Sequence, residues 1–189
     1  PNTFDRLNVG ANTVTLTVTD NNGNVSTATS VVTIEDNVNP IAIAQNITIQ
    51  LDASGQSSIV TGDIDNGSND ACGIATYVLS QYAFDCSHVG ANTITLTVSD
   101  NNGNASSTTS IVTVEDNVVP VVIAQDITIQ LDASGNASIT TGDIDNGSND
   151  ACGIATYSLS QNSFDCSYVG LNTVILAVTD NNGNIKSFR

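Results

Sequence analysis

Positive charge is almost missing from this chain. Three Lys+Arg stand against 19 Asp+Glu, giving a formal net charge of −16 and a sequence pI near 4.1. A surface this acidic repels phosphates instead of releasing their counterions, so no nucleic-acid partner is expected. Met and Trp are absent, aromatics are 4% and there is one His, which leaves thin cores built from Val, Ile and Leu. No apolar run approaches the roughly 18 residues of a membrane span, and no charged-then-apolar leader precedes Pro1, so no membrane span is expected. A chain that opens without Met is expected to be a processed product, a fragment or part of something longer.

What is present is β-sheet material in repeated order. Pro40 to Asp116 recurs from Pro120 at an offset of 80 residues, and DIDNGSNDACGIATY stands unchanged at 63–77 and 143–157. FDRLNVGANTVTLTVTDNNGN near the start matches FDCSHVGANTITLTVSDNNGN 80 positions later. The chain is therefore read as the back part of one repeat (1–36), one complete repeat (37–116) and one repeat lacking its last strand (117–189).

Thr93 to Ser99 alternates strictly, with Ile94, Leu96 and Val98 on one face and Thr or Ser on the other, the pattern of a half-buried strand. Similar runs at Ile41–Leu51, Ser57–Thr61, Ile74–Ser80 and Ser110–Val114 are separated by Asp-Ala-Ser-Gly, Asp-Asn-Gly-Ser and Asn-Asn-Gly-Asn turn signals. Short strands at this spacing without helical periodicity predict an all-β fold, a Greek-key sandwich of immunoglobulin type repeated in tandem. Pro40 and Pro120 open the first strand of their repeats, where a missing donor costs little. The linkers IEDNVNP and VEDNVVP are short, so successive sandwiches are expected to stack as a stiff linear array.

The order P…NITIQLD…DNGSNDACGIA…FDC..VG.NT.TLTV.DNNGN…VTVED resembles the hyalin-repeat (HYR) family, in the form used by secreted surface proteins and adhesins of Bacteroidetes-type bacteria. The resemblance covers the whole chain. It implies immunoglobulin-like sandwiches used for extracellular reach and adhesion at a bacterial cell surface, not catalysis. Relatives commonly carry a second cysteine pair near the places of Ala44 or Ala124 and of Thr108; both partners are absent here together.

Four cysteines, Cys72, Cys86, Cys152 and Cys166, allow three connectivities, and the repeat selects Cys72 with Cys86 and Cys152 with Cys166. Two such disulfides point to an oxidising, extracellular setting. A zinc site would need clustered Cys and His, which the unrepeated His88 does not supply. Arg6 takes the Cys86 place in the first partial repeat. With intra-repeat pairing its partner would lie before Pro1, so the chain is expected to start near here.

In a linear array the incoming end of each sandwich gathers acidic loops. Asp63, Asp65, Asn66, Asp70, Asp100 and Asn102 come beside Glu35, Asp36 and Asn37 of the preceding linker; Asp143, Asp145, Asn146, Asp150, Asp180 and Asn182 come beside Glu115, Asp116 and Asn117. Carboxylates, Asn amides and carbonyls are the oxygen inventory of calcium, and no Lys or Arg lies between Arg6 and Lys186 to offset the charge. The same residues also build turns unaided, and DIDNGSND fails as an EF-hand loop at Ser68 and Ile74. Junction calcium and solvated turns are both open readings.

No catalytic residue is assigned. One His in one repeat cannot serve a Ser-His-acid arrangement, and no aromatic or apolar wall surrounds Asp63 and Asp65 to raise a carboxyl pKa or stack a sugar. Asn24, Asn46, Asn66, Asn104, Asn136 and Asn146 each open a glycosylation sequon. A binding module for surface glycans is the rival class, weakened by its two aromatic candidates, Tyr82 and Tyr168, and an accessory domain beside an enzyme outside this chain is the other rival.

The two ends are complementary. The last repeat lacks the equivalent of SIVTVED at 110–116, whereas the first segment holds that strand at Ser30–Asp36, with Ser30, Val32 and Ile34 in alternation. The last repeat is also more apolar: Leu171, Ile175, Ala177, Ile185 and Phe188 replace Ala91, Thr95, Thr97, Ala105 and Thr108. All three basic residues, Arg6, Lys186 and Arg189, sit near the ends. These residues predict a head-to-tail homopolymer by strand complementation, with contact between adjacent repeats of one longer chain as the alternative.

Overall fold

The computed structural model describes residues 3–189; the first two residues of the 1–36 segment lie outside the described residues. The chain forms two compact units, Pro1–Ile47 with Val60–Tyr82 and Thr93–Ile111, and Thr48–Ile59 with Ala83–Asn92 and Val112–Arg189.

In chain order the strands are β1 (Gly10–Thr19), β2 (Val25–Ile34), β3 (Ile47–Gln50), β4 (Gln56–Ser58), β5 (Ile74–Leu79), β6 (Ala83–Asp85), β7 (Gly90–Asp100), β8 (Ala105–Glu115), β9 (Asn136–Ser138), β10 (Ile154–Leu159), β11 (Ser163–Asp165), β12 (Leu176–Asp180) and β13 (Ile185–Phe188). Two helical turns, α1 (Thr61–Ile64) and α2 (Thr141–Ile144), recur at the 80-residue period. The fold is all-β, an immunoglobulin-like β-sandwich: a four-stranded sheet of order β3-β8-β7-β5 accompanies the two-stranded β4-β6 in the middle repeat, and β10-β12-β13 accompanies β11-β9 in the last. In the last repeat, Phe164 of the small sheet and Leu176 and Val178 of the larger one share a core with Ile139 and Ile144.

The alternation expected over Thr93–Ser99 is the centre of β7, where Ile94, Leu96 and Val98 are buried. Two expected runs are broken up by side-chain hydrogen bonds. Ile41–Leu51 is a strand only over β3; upstream, Ile41 and Ala44 bridge singly to Asn69 and Asp65, and Ser68 Oγ accepts the Ile43 N–H at 2.9 Å. Ser57–Thr61 ends early because Asp63 Oδ2 accepts the Val60 N–H at 2.7 Å, which curls the following residues into α1. A polar cap satisfies a donor that a strand would have paired elsewhere.

The first unit contains the β1–β2 hairpin, paired through ten residues from Gly10↔Ile34 to Thr19↔Val25. Its inner face is bare: Leu16 is 64% and Val18 57% exposed, whereas their equivalents Leu96 and Val98 are 0%. This contrast predicts that Leu96→Ala costs about 2–5 kcal/mol, the range for a fully enclosed leucine. Leu16→Ala stays within about 0.5 kcal/mol in the dispersed chain, as expected of an exposed position. Urea unfolding of the two variants side by side checks both.

Candidate functional site

Each DNNGN turn is held by its first residue. Asp100 Oδ1 accepts the N–H groups of Asn102 and Asn104, both at 2.8 Å, and Asp180 Oδ1 accepts those of Asn182 and Asn184 at 2.9 Å. Burial draws the Asp100 carboxyl upward, but the hydrogen bonds from Asn104 and Asn102 prevail and hold it below the usual range. Asn104 then reaches out: its Nδ2 donates to Asp100 Oδ2 at 2.7 Å and to the Asp36 carbonyl at 3.0 Å. Asn184 does the same between Asp180 Oδ2 at 2.9 Å and the Asp116 carbonyl at 3.0 Å. One asparagine per repeat thus ties the turn to the linker aspartate, a role that its place in a turn motif does not signal.

That linker aspartate carries the unusual atom. Asp116 is 6% exposed, its Oδ1 accepts the Val118 N–H at 3.1 Å, and its Oδ2 is buried without a hydrogen-bond partner. Asp36 repeats the arrangement with Val38 at 3.1 Å and a buried, unpartnered Oδ2. Asp116, Asp150 and Cys152 converge so that one ligand atom from each lies within 4.8 Å of the others, and so do Asp36, Asp70 and Cys72. Desolvated carboxylate oxygens without donors, beside further carboxylates, are costly unless a cation meets them. Hydrogen bonding to the Asp36 side chain, then burial, then the charges of Asp36, Asp70 and Asp100 push the Cys72 thiol up to about 11.

The remaining expected ligands serve other contacts. Asp63 and Asp143 cap α1 and α2, accepting the Val60 and Thr140 N–H groups at 2.7 Å. Asp65 and Asp145 fold the Asn-Gly-Ser turns, each accepting a serine N–H at 3.1 Å. Glu35 accepts from Asn37 at 3.4 Å; Glu115 accepts from Gln50 at 2.6 Å and from Asn117 at 3.3 Å. His88 Nδ1 lies 2.8 Å from Asp85 Oδ1, an exposed pair. Of the sequons, Asn104 is consumed by the linker contact, and Asn46 Oδ1 accepts the Ile111 N–H at 2.8 Å; Asn24 donates to Asp20 at 2.8 Å and Asn136 to the Ser134 carbonyl at 3.3 Å, while Asn66 and Asn146 are exposed.

The intra-repeat cystines expected from the sequence are not the ones formed. Cys86 is bonded to Cys152, with Cα atoms 5.2 Å apart, and Cys72 and Cys166 are free thiols. The reason is visible in the last repeat. Cys152 precedes β10 at the end where Ile154 pairs with Asp180; Cys166 follows β11, which the chain enters from the other end of β10, where Leu159 pairs with Leu176. The six residues of β10 span roughly 20 Å, and a disulfide reaches only about 4.4–6.8 Å between Cα atoms. The cystine therefore runs from the turn after β6 in one repeat to the loop before β10 in the next.

The last repeat holds an open groove of about 830 Å³, lined by Ile127, Ile129, Leu131, Val174, Phe188 and other residues. Its two flanks, 126–131 and 170–175, are not strands, although their equivalents form β3 and the first half of β7. The hairpin register sets Ser30–Ile34 against Gly10–Val14, so by the repeat the missing neighbour of 170–174 is a Ser30–Ile34-type strand. Leu171, Ile175, Ile185 and Phe188 are exposed, and Ala177 is half-buried.

No protein-family model matches the chain, and no curated protein matches it. Among solved structures it is similar to protocadherin gamma B7 extracellular cadherin domains 1–4, at 14% identity and a TM-score of 0.39 over 98% of this chain and 57% of that one. It is also similar to the protocadherin gammaB7 EC3–6 cis-dimer structure, at 15% identity and a TM-score of 0.35 over 97% of this chain and 60% of that one. The chain thus spans 57% and 60% of the solved chains it matches, and likeness at this level carries nothing on function. Among the described residues no helix is long and apolar enough to cross a membrane.

Cys86→Ser removes a bond that closes 66 residues. By loop entropy it should cost about 4 kcal/mol under oxidising conditions, and reductant should bring the wild-type chain down to the variant; denaturant titration in both states reads this. Alkylation at pH 8 should label exposed Cys166 well before half-buried Cys72, whose carboxylate neighbours disfavour a thiolate. Equal rates for the two peptides by mass spectrometry would show that the acidic cluster does not act on Cys72.

Proposed function

We propose that this chain is a non-enzymatic structural module of an extracellular fibre or adhesin stalk, organised as 1–36, 37–116 and 117–189 and assembled head to tail by strand complementation. The observation that carries the reading is one contrast. Leu16 and Val18 are 64% and 57% exposed on the first hairpin, and a groove of about 830 Å³ stands open in the last repeat, while the middle repeat fills both equivalents with its own residues. Ser30–Asp36 of one copy fits the groove of the next, because its sequence SVVTIED is nearly that of SIVTVED in β8. Such a strand restores backbone pairing on both flanks and covers Ile127, Ile129 and Phe188. The contact is heterologous and does not close, so it builds a filament. Adjacent repeats of one longer chain would use the same fit. The motif string supports membership among hyalin-type repeats of bacterial surface proteins, and the cystine suits an oxidising compartment.

Calcium belongs to the same proposal. The buried, unpartnered Oδ2 atoms of Asp36 and Asp116 beside Asp70 and Asp150 are hard oxygen donors and fit that ion. The sulfur of Cys72 or Cys152 does not fit it and is not counted as a ligand. Asp36 with Asp70, and Asp116 with Asp150, would hold the ion, which would supply charge neutralisation. Asn104 and Asn184 position the linker aspartates by binding their carbonyls.

Electron microscopy of the purified chain is expected to show uniform filaments that Ile34→Asp abolishes and a chelator loosens. Compact monomers at high concentration in calcium would sink the assembly reading. Saturating calcium at about 100 times Kd stabilises by about 2.7 kcal/mol; the corresponding rise in Tm should be halved or lost in Asp116→Asn, and a Tm indifferent to exhaustive chelation would remove the metal.

A further inference from the structure

The Cys86–Cys152 cystine has two halves, and each recurs once more in the chain without its mate. Cys166 repeats the Cys86 half. Both open a 3₁₀ turn capped by the preceding aspartate, with Asp85 accepting the Ser87 N–H at 2.9 Å and Asp165 that of Ser167 at 2.8 Å. Each sulfur lies 3.8 Å from a glycine carbonyl oxygen, that of Gly55 or Gly135. Both glycines have positive φ, and a Cβ there would come within 2.7 Å of Cys86 Sγ or 2.9 Å of Cys166 Sγ, so each sulfur is seated against bare backbone.

Cys72 repeats the Cys152 half. Its N–H donates to Asp70 Oδ1 at 2.7 Å, as that of Cys152 does to Asp150 at 2.8 Å, and the two carbonyls accept from Asn101 at 2.9 Å and Asn181 at 2.8 Å. Opposite Cys72, where the pattern calls for a Cys86-type residue, stands Arg6 on its own 3₁₀ turn capped by Asp5. Among the described residues, one exposed hydrogen bond of 3.4 Å from its Nη1 to the Ala71 carbonyl holds it there.

We propose that Cys166 of one copy and Cys72 of a second copy form the same cystine as Cys86–Cys152, displacing Arg6 and linking chains covalently head to tail. The proposal goes beyond strand complementation and rests on a different observation, the repetition of both cystine halves. The oxidant is a disulfide, here oxidised glutathione. The Cys166 thiolate attacks one of its sulfurs and releases one glutathione thiolate; the Cys72 thiolate then attacks the Cys166 sulfur of the mixed disulfide and releases the second. Two protein thiols give up two electrons and two protons, and oxidised glutathione becomes two reduced molecules.

The test incubates the full chain in a glutathione redox buffer, separates it without reductant and maps cystines by mass spectrometry. A ladder of covalent oligomers joined by Cys166–Cys72 peptides is expected. Cys72→Ser and Cys166→Ser should each remain monomeric alone and give covalent dimers, and nothing longer, when mixed. Arg6→Cys should close a bond to Cys72 within the chain, abolish the ladder and leave Cys166 titratable. Free thiols at equilibrium, glutathione caps alone, Cys166–Cys166 dimers, or an Arg6→Cys chain whose introduced thiol ignores Cys72 would each overturn the proposal. Filaments that form under reductant but never yield the cystine would overturn it while leaving strand complementation standing; a ladder without filaments would do the reverse.

Discussion

A β-strand here is only as ordered as the strand beside it. Backbone N–H and C=O groups need partners, and a repeat with no Trp or Met and few aromatics has little side-chain burial to compensate when they lack them. Residues 170–175 show the dependence directly. Their equivalents in β7 are strand beside β8; without such a neighbour they are not, and neither is 126–131, whose equivalent β3 pairs with β8 from the other side. The same absence opens the groove. The β1–β2 hairpin shows the converse, since its full backbone pairing leaves Leu16 and Val18 uncovered.

Polar side chains do the local shaping that larger apolar residues would do elsewhere. Asp20, Asp52, Asp85, Asp100, Asp143 and Asp165 accept nearby N–H or hydroxyl groups, and these hydrogen bonds hold each carboxyl below its usual range. Each stabilising contribution is present above the unfolded carboxyl pKa and is lost as pH falls through the depressed value. The chain's acidity is thus largely spent on turns. Asp36 and Asp116 differ, each keeping a buried oxygen that no donor meets.

The cystine changes how the repeats relate. An intra-repeat bond would have stapled each sandwich separately, whereas Cys86–Cys152 carries a covalent link from one repeat to the next. Substitution of Arg6 for cysteine then reads differently: it leaves Cys72 unbonded, instead of removing a residue whose partner lies outside the chain.

Alternation and repetition in the sequence determined the all-β class, the inward Ile94, Leu96 and Val98 of β7 and the turn positions, because period-two patterning and Asn-Gly chemistry act within a few residues. Tertiary structure decided the rest. Cysteine spacing cannot report that β10 stands between Cys152 and Cys166, because that separation is set by strand direction. Composition cannot tell Asp116, whose Oδ2 is buried and unpartnered, from Asp145, which folds a turn, because both lie in acidic, Asn-rich stretches. Only packing around the linker chooses between them, by setting which oxygens water can still reach.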